Sequence, residues 1–480
     1  MKRLSPEFPP SGPLPRLSQR SWPLDCQRSR GYLTEPVASA AWRGKFMVQS
    51  NYTNYIGKTN FRGEKKFGIK RKERRHHAYV VGKTGTGKTT LLKKMAVQDI
   101  RNGEGAAVID PHGDLAEELL YYVPKERIND VVYFNPADLE YPIGLNVFKN
   151  VDSSERHLVA SGLMSVFHRL FADSWGPRLE HILRNSIYAL LEFPGSTLLG
   201  IPRLLYDDNY RKKVVEEVED PKVKDFWRNE YANYDKGFRT QAISPVLNKV
   251  GKFLTAKLLR NIIGQAGKKL DFSEILEDKK ILIANLSKGA LGEENQMLLG
   301  SLLVTKLQLA SMKRVKKEEE SRGDYYLYID EVQNFSSSET LSTVLSESRK
   351  YRLNLVMGNQ YIRQLSKDLR EAIFGNVGTL ISFRVGAKDA NLLEKEFEPE
   401  FGKDDLINLP NYHIYLRLMI DGVSSRPFSA KTLPPPEKPE NSYKDKIIKV
   451  SRERYCTPRE EVERKIDRWF DITDRSMRRG

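Results

Sequence analysis

A chain of 480 residues with 79 Lys and Arg against 63 Asp and Glu has room for two domains plus tails, and carries a net charge of +16. Its longest apolar runs, such as residues 298–304, fall far short of the ~20 residues a spanning helix needs, and no secretory apolar stretch follows Lys2-Arg3. Two cysteines, Cys26 and Cys456, both in expected tails, support neither a disulfide framework nor a cysteine metal site, which points to the reducing cytoplasm.

Residues 1–50 hold Pro6, Pro9, Pro10, Pro13, Pro15 and Pro23 among scattered Arg and Ser, with no apolar period. Such a stretch buries too little surface to order itself, so a disordered basic segment is expected there. Met47 opens a cleaner sequence and is an alternative start. Residues 1–75 contain 17 Lys and Arg against 5 Asp and Glu, so +12 of the charge precedes the body of the chain. The bulk charge therefore describes this segment, whose partner is DNA, an acidic protein or an anionic lipid surface. The run Lys70-Arg71-Lys72-Glu73-Arg74-Arg75 reads as a solvated loop.

Ala78-Tyr79-Val80-Val81 reads as a buried strand, and residues 90–97 as a helix with apolar spacing. Between them stands Gly82-Lys83-Thr84-Gly85-Thr86-Gly87-Lys88-Thr89, a complete phosphate-binding loop. The glycines let successive backbone N–H groups cradle phosphate oxygens. Lys88 places its ammonium against the β- and γ-phosphates, and the Thr89 hydroxyl ligates Mg²⁺. With Thr90 just inside the helix, this segment is the expected binding site for ATP and Mg²⁺.

Val108-Ile109-Asp110 is a further strand, with His112 read as part of the nucleotide-proximal wall and not as a metal ligand. About 145 residues of mostly helical pattern separate the strand at 131–134 from the strand at 281–284. A βα unit needs far fewer, so this is an inserted all-α domain. Helices are expected over 152–171, 179–193, 210–234 and 240–259. Trp175, Phe226, Trp227, Tyr231 and Phe238 lie at helical spacing and read as core, with single-strand stacking as the competing use. Lys249, Lys252, Lys257 and Arg260 form either a DNA-facing set or a solvated face.

Tyr325-Tyr326-Leu327-Tyr328-Ile329 ends in Asp330-Glu331. An acid at such a strand end holds the metal, here Asp330, and the next polarises the attacking water, here Glu331. Residues 354–358 form another strand running into Asn359-Gln360-Tyr361, where Gln360 can sense the γ-phosphate or the water. Residues 434–436, all proline, close the core. Thr457-Pro458-Arg459-Glu460 starts a last helix whose stripe Val462, Ile466, Trp469 and Phe470 must pack on its own chain or on a partner.

Taken with Asn285-Leu286-Ser287-Lys288-Gly289, residues 345–350 and residues 378–386, these motifs resemble the HerA/FtsK-type translocases. Within them they are most similar to the conjugative coupling-protein branch (the TraG/TraD type of type IV secretion). The resemblance covers residues 55–433. It implies an α/β, RecA-like P-loop core in two parts, 51–145 and 273–433. The inserted all-α domain occupies 146–272, and a linker with a short C-terminal helix occupies 434–480. It further implies an ATPase that assembles as a ring, a hexamer, and threads DNA through its centre. A neighbour's arginine completes each site, Arg384 first and Arg349 second. Typical members carry a membrane anchor, so docking to a secretion channel at the inner membrane requires membrane-bound partner subunits here. The alternative function is a secretion or pilus-assembly ATPase that moves protein and does not pull DNA.

Overall fold

Among the described residues the strands are β1 (Thr53–Thr59), β2 (Lys66–Lys70), β3 (Ala78–Val81), β4 (Gly105–Asp110), β5 (Val131–Phe134), β6 (Ile281–Asn285), β7 (Tyr325–Ile329), β8 (Leu353–Asn359), β9 (Thr379–Ser382), β10 (His413–Arg417), β11 (Met419–Ile420), β12 (Val423–Ser424) and β13 (Phe428–Thr432), with helices between β3 and β10. The structure, a computed structural model, describes residues 52–477 except Arg62, Asn150, Lys268, Lys269, Ser336 and Ser337. The basic segment expected over 1–50 lies outside the described residues. No helix among the described residues is long and apolar enough to cross a membrane.

Eleven strands form one sheet in the order β2-β1-β13-β10-β9-β3-β8-β7-β4-β6-β5. From β9 to β5 all neighbours run parallel, whereas β10, β13, β1 and β2 extend the sheet antiparallel. Each parallel strand is buried on both faces, which is why its sequence reads as a continuous apolar run. Alternate residues still sort by face. Tyr79, Val81, Leu327 and Ile329 enter one core cluster; Ala78, Val80, Tyr326 and Tyr328 enter the other.

The helix that follows the phosphate loop, Lys88–Arg101, covers the second face. The residues between β5 and β6 are helical and pack on the first face. Two of the expected helices are broken. Residues 210–234 split because Pro221 cannot donate to a continuing helix: Asp208–Glu217 ends, and Asp220 caps Pro221–Asp225 by accepting from the Lys222 and Val223 N–H groups. Residues 240–259 split at Ala256, whose extended backbone separates Lys236–Thr255 from Lys257–Ile263. Phe226, Trp227 and Tyr231 are buried, so they serve the core.

Two further readings change. The basic run is not a solvated loop: it bends through Glu73–His76 beneath the sheet, with Glu73 and Arg74 buried. Arg74 donates through Nη2 to Asp99 Oδ2 and to the Tyr328 hydroxyl, both at 2.8 Å, and its guanidinium lies 3.7 Å from the centre of the Tyr326 ring. Arg71 and Arg75 pair with Asp324, and Arg71 also with Glu104. Carboxylates far along the chain draw these cations inward, which local composition does not reveal.

The C-terminal region is likewise no tail. A helix at Lys444–Tyr455 precedes the expected one, and Cys456 is buried and bridges to Ile143. On the last helix, Arg459–Met477, Val462, Ile466 and Trp469 pack on Leu199 and Leu254 of the same chain. Arg203 lies between the Tyr210 and Trp469 rings, 4.5 and 4.6 Å from their centres.

His77 carries a pH dependence. It is buried with φ 59°, and its Nδ1 accepts from the Leu355 N–H at 3.1 Å, which requires a neutral ring. Burial pushes its pKa down from 6.5 to about 4. The unfolded chain takes up the proton first, so stability is full above pH 6.5 and is lost as pH falls toward 4. The loss at pH 5 is on the order of 2 kcal/mol. Urea midpoints at pH 7.5 and pH 5 measure it. His77→Asn should show a flatter pH dependence, and an unchanged one would assign the effect elsewhere.

Candidate nucleotide-binding site

The loop residues 82–90, Asp330, Glu331, Gln360 and Arg384 lie at the carboxyl ends of β3, β7, β8 and β9, where parallel sheets bind their ligands. A cleft of about 360 Å³ there is lined by Lys83, Thr84, Gly85, Gly87, Lys88, Thr89, Thr90, His112, Asp330, Glu331, Gln360 and Tyr412. The loop leaves β3 and turns into the helix at Gly87, whose φ of +117° suits only glycine. A Cβ there would also stand 2.9 Å from the Tyr412 ring.

Two contacts define the chemistry. The Thr89 hydroxyl donates to Asp330 Oδ2 at 2.9 Å, so the two oxygens read as metal ligands share one spot. Lys88 Nζ lies 2.7 Å from Glu331 Oε1 and 3.6 Å from Asp330 Oδ1. All three charged groups are buried, and the ammonium stands in for nothing but itself: it pairs with the carboxylates in the place where phosphate would compete for it. A hydroxyl, a carboxylate and a lysine around exposed loop N–H groups fit a magnesium-bound triphosphate.

Glu331 has a left-handed backbone, φ 52° and ψ 61°. For a residue other than glycine this costs on the order of 1 kcal/mol and aims the side chain back into the cleft. Its Oε2 accepts from Gln333 Nε2 at 2.8 Å and from the Gln360 N–H at 3.2 Å. Gln360 also donates through its side chain to the Thr84 hydroxyl, which ties the end of β8 to the loop. Asp110 accepts from the His112 and Ala116 N–H groups, both at 2.9 Å, and so shapes the wall that carries His112.

Arg384 follows β9 directly beside the loop of its own chain. Its carbonyl accepts from the Lys83 N–H and its guanidinium donates to Asn411 Oδ1, both at 2.9 Å. Arg349 is exposed and precedes β8, at the opposite end of that strand from the cleft. Lys252 pairs with Glu294 at 2.6 Å, and Lys249 lies 5.7 Å from the Phe171 ring centre.

Sequence reasoning missed Gln333 and Tyr412, and gave Asn359 no role of its own. Gln333 stands two residues after Glu331 and accepts from Asn359 Nδ2, so its position beside the acidic pair was the available signal. Tyr412 reaches the loop by donating its N–H to the Thr86 carbonyl at 2.9 Å, and no local pattern announces that.

The model of the type IV secretion-system coupling protein DNA-binding domain matches residues 66–415, most of the chain. The chain belongs to this family. No curated protein sequence matches it. Among solved structures it is similar to the unbound bacterial conjugative coupling protein TrwBdeltaN70, with a TM-score of 0.56 and 15% identity over 78% of this chain and 89% of that one. Plasmid coupling protein TrwB in complex with ADP and Mg²⁺ matches with a TM-score of 0.56 and 15% identity, over 78% of this chain and 90% of that one. VirB4 of Thermoanaerobacter pseudethanolicus matches with a TM-score of 0.54 and 16% identity, over 80% and 97%. At these identities the likeness is one of fold, and it places this coupling-family chain on the same α/β ATPase architecture.

Proposed function

We propose that this coupling-family chain binds Mg²⁺-ATP in the cleft, hydrolyses it and uses the energy to move DNA. The observation that carries the reading is the convergence of Lys88, Thr89, Asp330 and Glu331, three of them buried, at one strand-end cleft. The loop 82–89 would hold the phosphates, with Thr90 beside them. Thr89 and Asp330 would hold Mg²⁺, which neutralises charge on the phosphoryl oxygens when bound. Glu331 is the base, and Gln360, linked to both Glu331 and Thr84, senses the γ-phosphate. The TrwB complex with ADP and Mg²⁺ supports the cofactor assignment. The family match to a DNA-binding domain favours DNA over a protein cargo.

Assembly as a hexameric ring, with the helical insertion at 146–272 and membrane-bound secretion subunits as partners, belongs to the same proposal. Arg384, or second to it Arg349, would be the arginine a neighbour contributes; Arg384 stands beside the loop of its own chain, and Arg349 precedes β8. Lys249, Lys252, Lys257 and Arg260 are the DNA-contact set.

The test is the turnover of Mg²⁺-ATP by the full chain with and without single- or double-stranded DNA. DNA should stimulate it, and an unchanged rate would favour protein transport. Mixing Arg384→Ala or, next, Arg349→Ala with Lys88→Ala subunits should restore part of the activity each lacks for the arginine that acts in trans, since some interfaces then contain two intact halves. Mixtures that co-assemble but stay inactive would assign the trans role elsewhere.

A further inference from the structure

The turn that carries Glu331 is gripped from two sides by groups outside the cleft. On one side Phe335 lies so close over Gly300, on the helix Glu293–Met312, that any Cβ at Gly300 would collide with the ring. On the other side the Arg169 guanidinium donates through Nη2 to the Gln333 carbonyl. Arg169 belongs to the helix Arg156–Leu170, in the insertion between β5 and β6. Its Nη1 is buried and has no hydrogen-bond partner among the described residues.

Arg169 is half-buried, and a guanidinium with one buried nitrogen left unpaired is costly; desolvation brings its pKa down to about 10. An aliphatic side chain would fill the site without that cost. What the guanidinium supplies is a directed hydrogen bond across the boundary between insertion and sheet, at the wall of a cavity of about 570 Å³. From Gln333 the line continues inward: its side chain donates to Glu331 Oε2 at 2.8 Å and accepts from Asn359.

We propose that Arg169 is a positioning residue that ties the helical insertion to the catalytic carboxylate through Gln333. The inference rests on the reading of Glu331 as the base. Lys88 Nζ donates to Glu331 Oε1 at 2.7 Å. Once Lys88 turns to phosphate, Gln333 and the Gln360 N–H keep Oε2 and leave Oε1 directed at water. Without Arg169 the 332–335 turn loosens and Glu331 samples positions from which it cannot take the proton. Support of this kind acts on the chemical step and leaves ground-state binding intact.

The experiment compares the full-length wild type with Arg169→Ala, Arg169→Lys and Arg184→Ala. Arg184 lines the same cavity but pairs with Glu180, so it serves as the control. Two quantities are measured: kcat and KM for Mg²⁺-ATP, and hydrogen exchange of the amides at 332–335. Arg169→Ala should lower kcat roughly 10-fold or more with KM within about 2-fold, and should speed exchange of the turn. Arg169→Lys, which keeps a donor, should recover part of both, and Arg184→Ala should change neither. A kcat for Arg169→Ala within about 2-fold of wild type, or an equal loss in Arg184→Ala, overturns the proposal. A wild type that binds ATP without hydrolysing it refutes the proposed function instead. Exchange at 332–335 then decides the tie alone: faster exchange in Arg169→Ala supports it and unchanged exchange ends it.

Discussion

Replacing Glu331 with glutamine should lower turnover of Mg²⁺-ATP by about 10²-fold or more while nucleotide binding persists. The amide keeps the size of the side chain and suits the left-handed position as well as glutamate does, so the fold is not disturbed. It loses the ability to take a proton from water. It also loses the charge that pairs with Lys88 at 2.7 Å, which frees the ammonium for phosphate. Affinity should therefore hold or rise as kcat falls, a split that distinguishes a base from a binding residue. Phosphate release in the steady state gives kcat, and equilibrium binding of a fluorescent nucleotide gives affinity. Lys88→Ala provides the contrast, since it should lose affinity as well. A Glu331→Gln chain within about 3-fold of the wild-type rate would mean that another group activates the water.

Asp99→Ala should cost about 3–5 kcal/mol of stability, a large share of what a domain has. Asp99 sits on the helix that begins at the phosphate loop and is fully buried. It accepts from Arg74, from the Tyr328 hydroxyl and, at 3.0 Å, from Asn54 Nδ2. Removing it strands the Arg74 guanidinium and orphans two further donors. Replacing Arg74 and Asp99 together by methionine and leucine should cost much less, because no charge is then left unpaired. Urea unfolding of the two single variants and the double variant reads the coupling directly. Single and double variants of equal stability would show that the pair carries no special weight. Tyr328 lies on β7 and Asp99 on the loop helix, so this network ties the helix that begins at Lys88 to the strand that precedes Asp330. Asp99→Ala should thus weaken Mg²⁺-dependent nucleotide binding at temperatures where the chain is still folded.

The candidate nucleotide site was legible in the sequence because its signals are local. Gly87 must be glycine for a backbone reason, Lys88 and Thr89 follow it at fixed offsets, and Asp330-Glu331 ends an unbroken apolar strand. Parallel strands buried on both faces write themselves as such runs, so β3, β6, β7 and β8 could be read directly, as could the helical character of the residues between β5 and β6. The tertiary structure alone decided which distant residues meet. The fate of the basic run at 70–75 turned on Asp99, Glu104 and Asp324. The partner of the last helix turned on Leu199 and Leu254. The hold on Glu331 turned on Arg169, more than 160 positions away. A charge or an apolar stripe in a sequence states a requirement for a partner. Only the folded chain supplies the partner, because burial and pairing depend on residues that the topology of the sheet brings together.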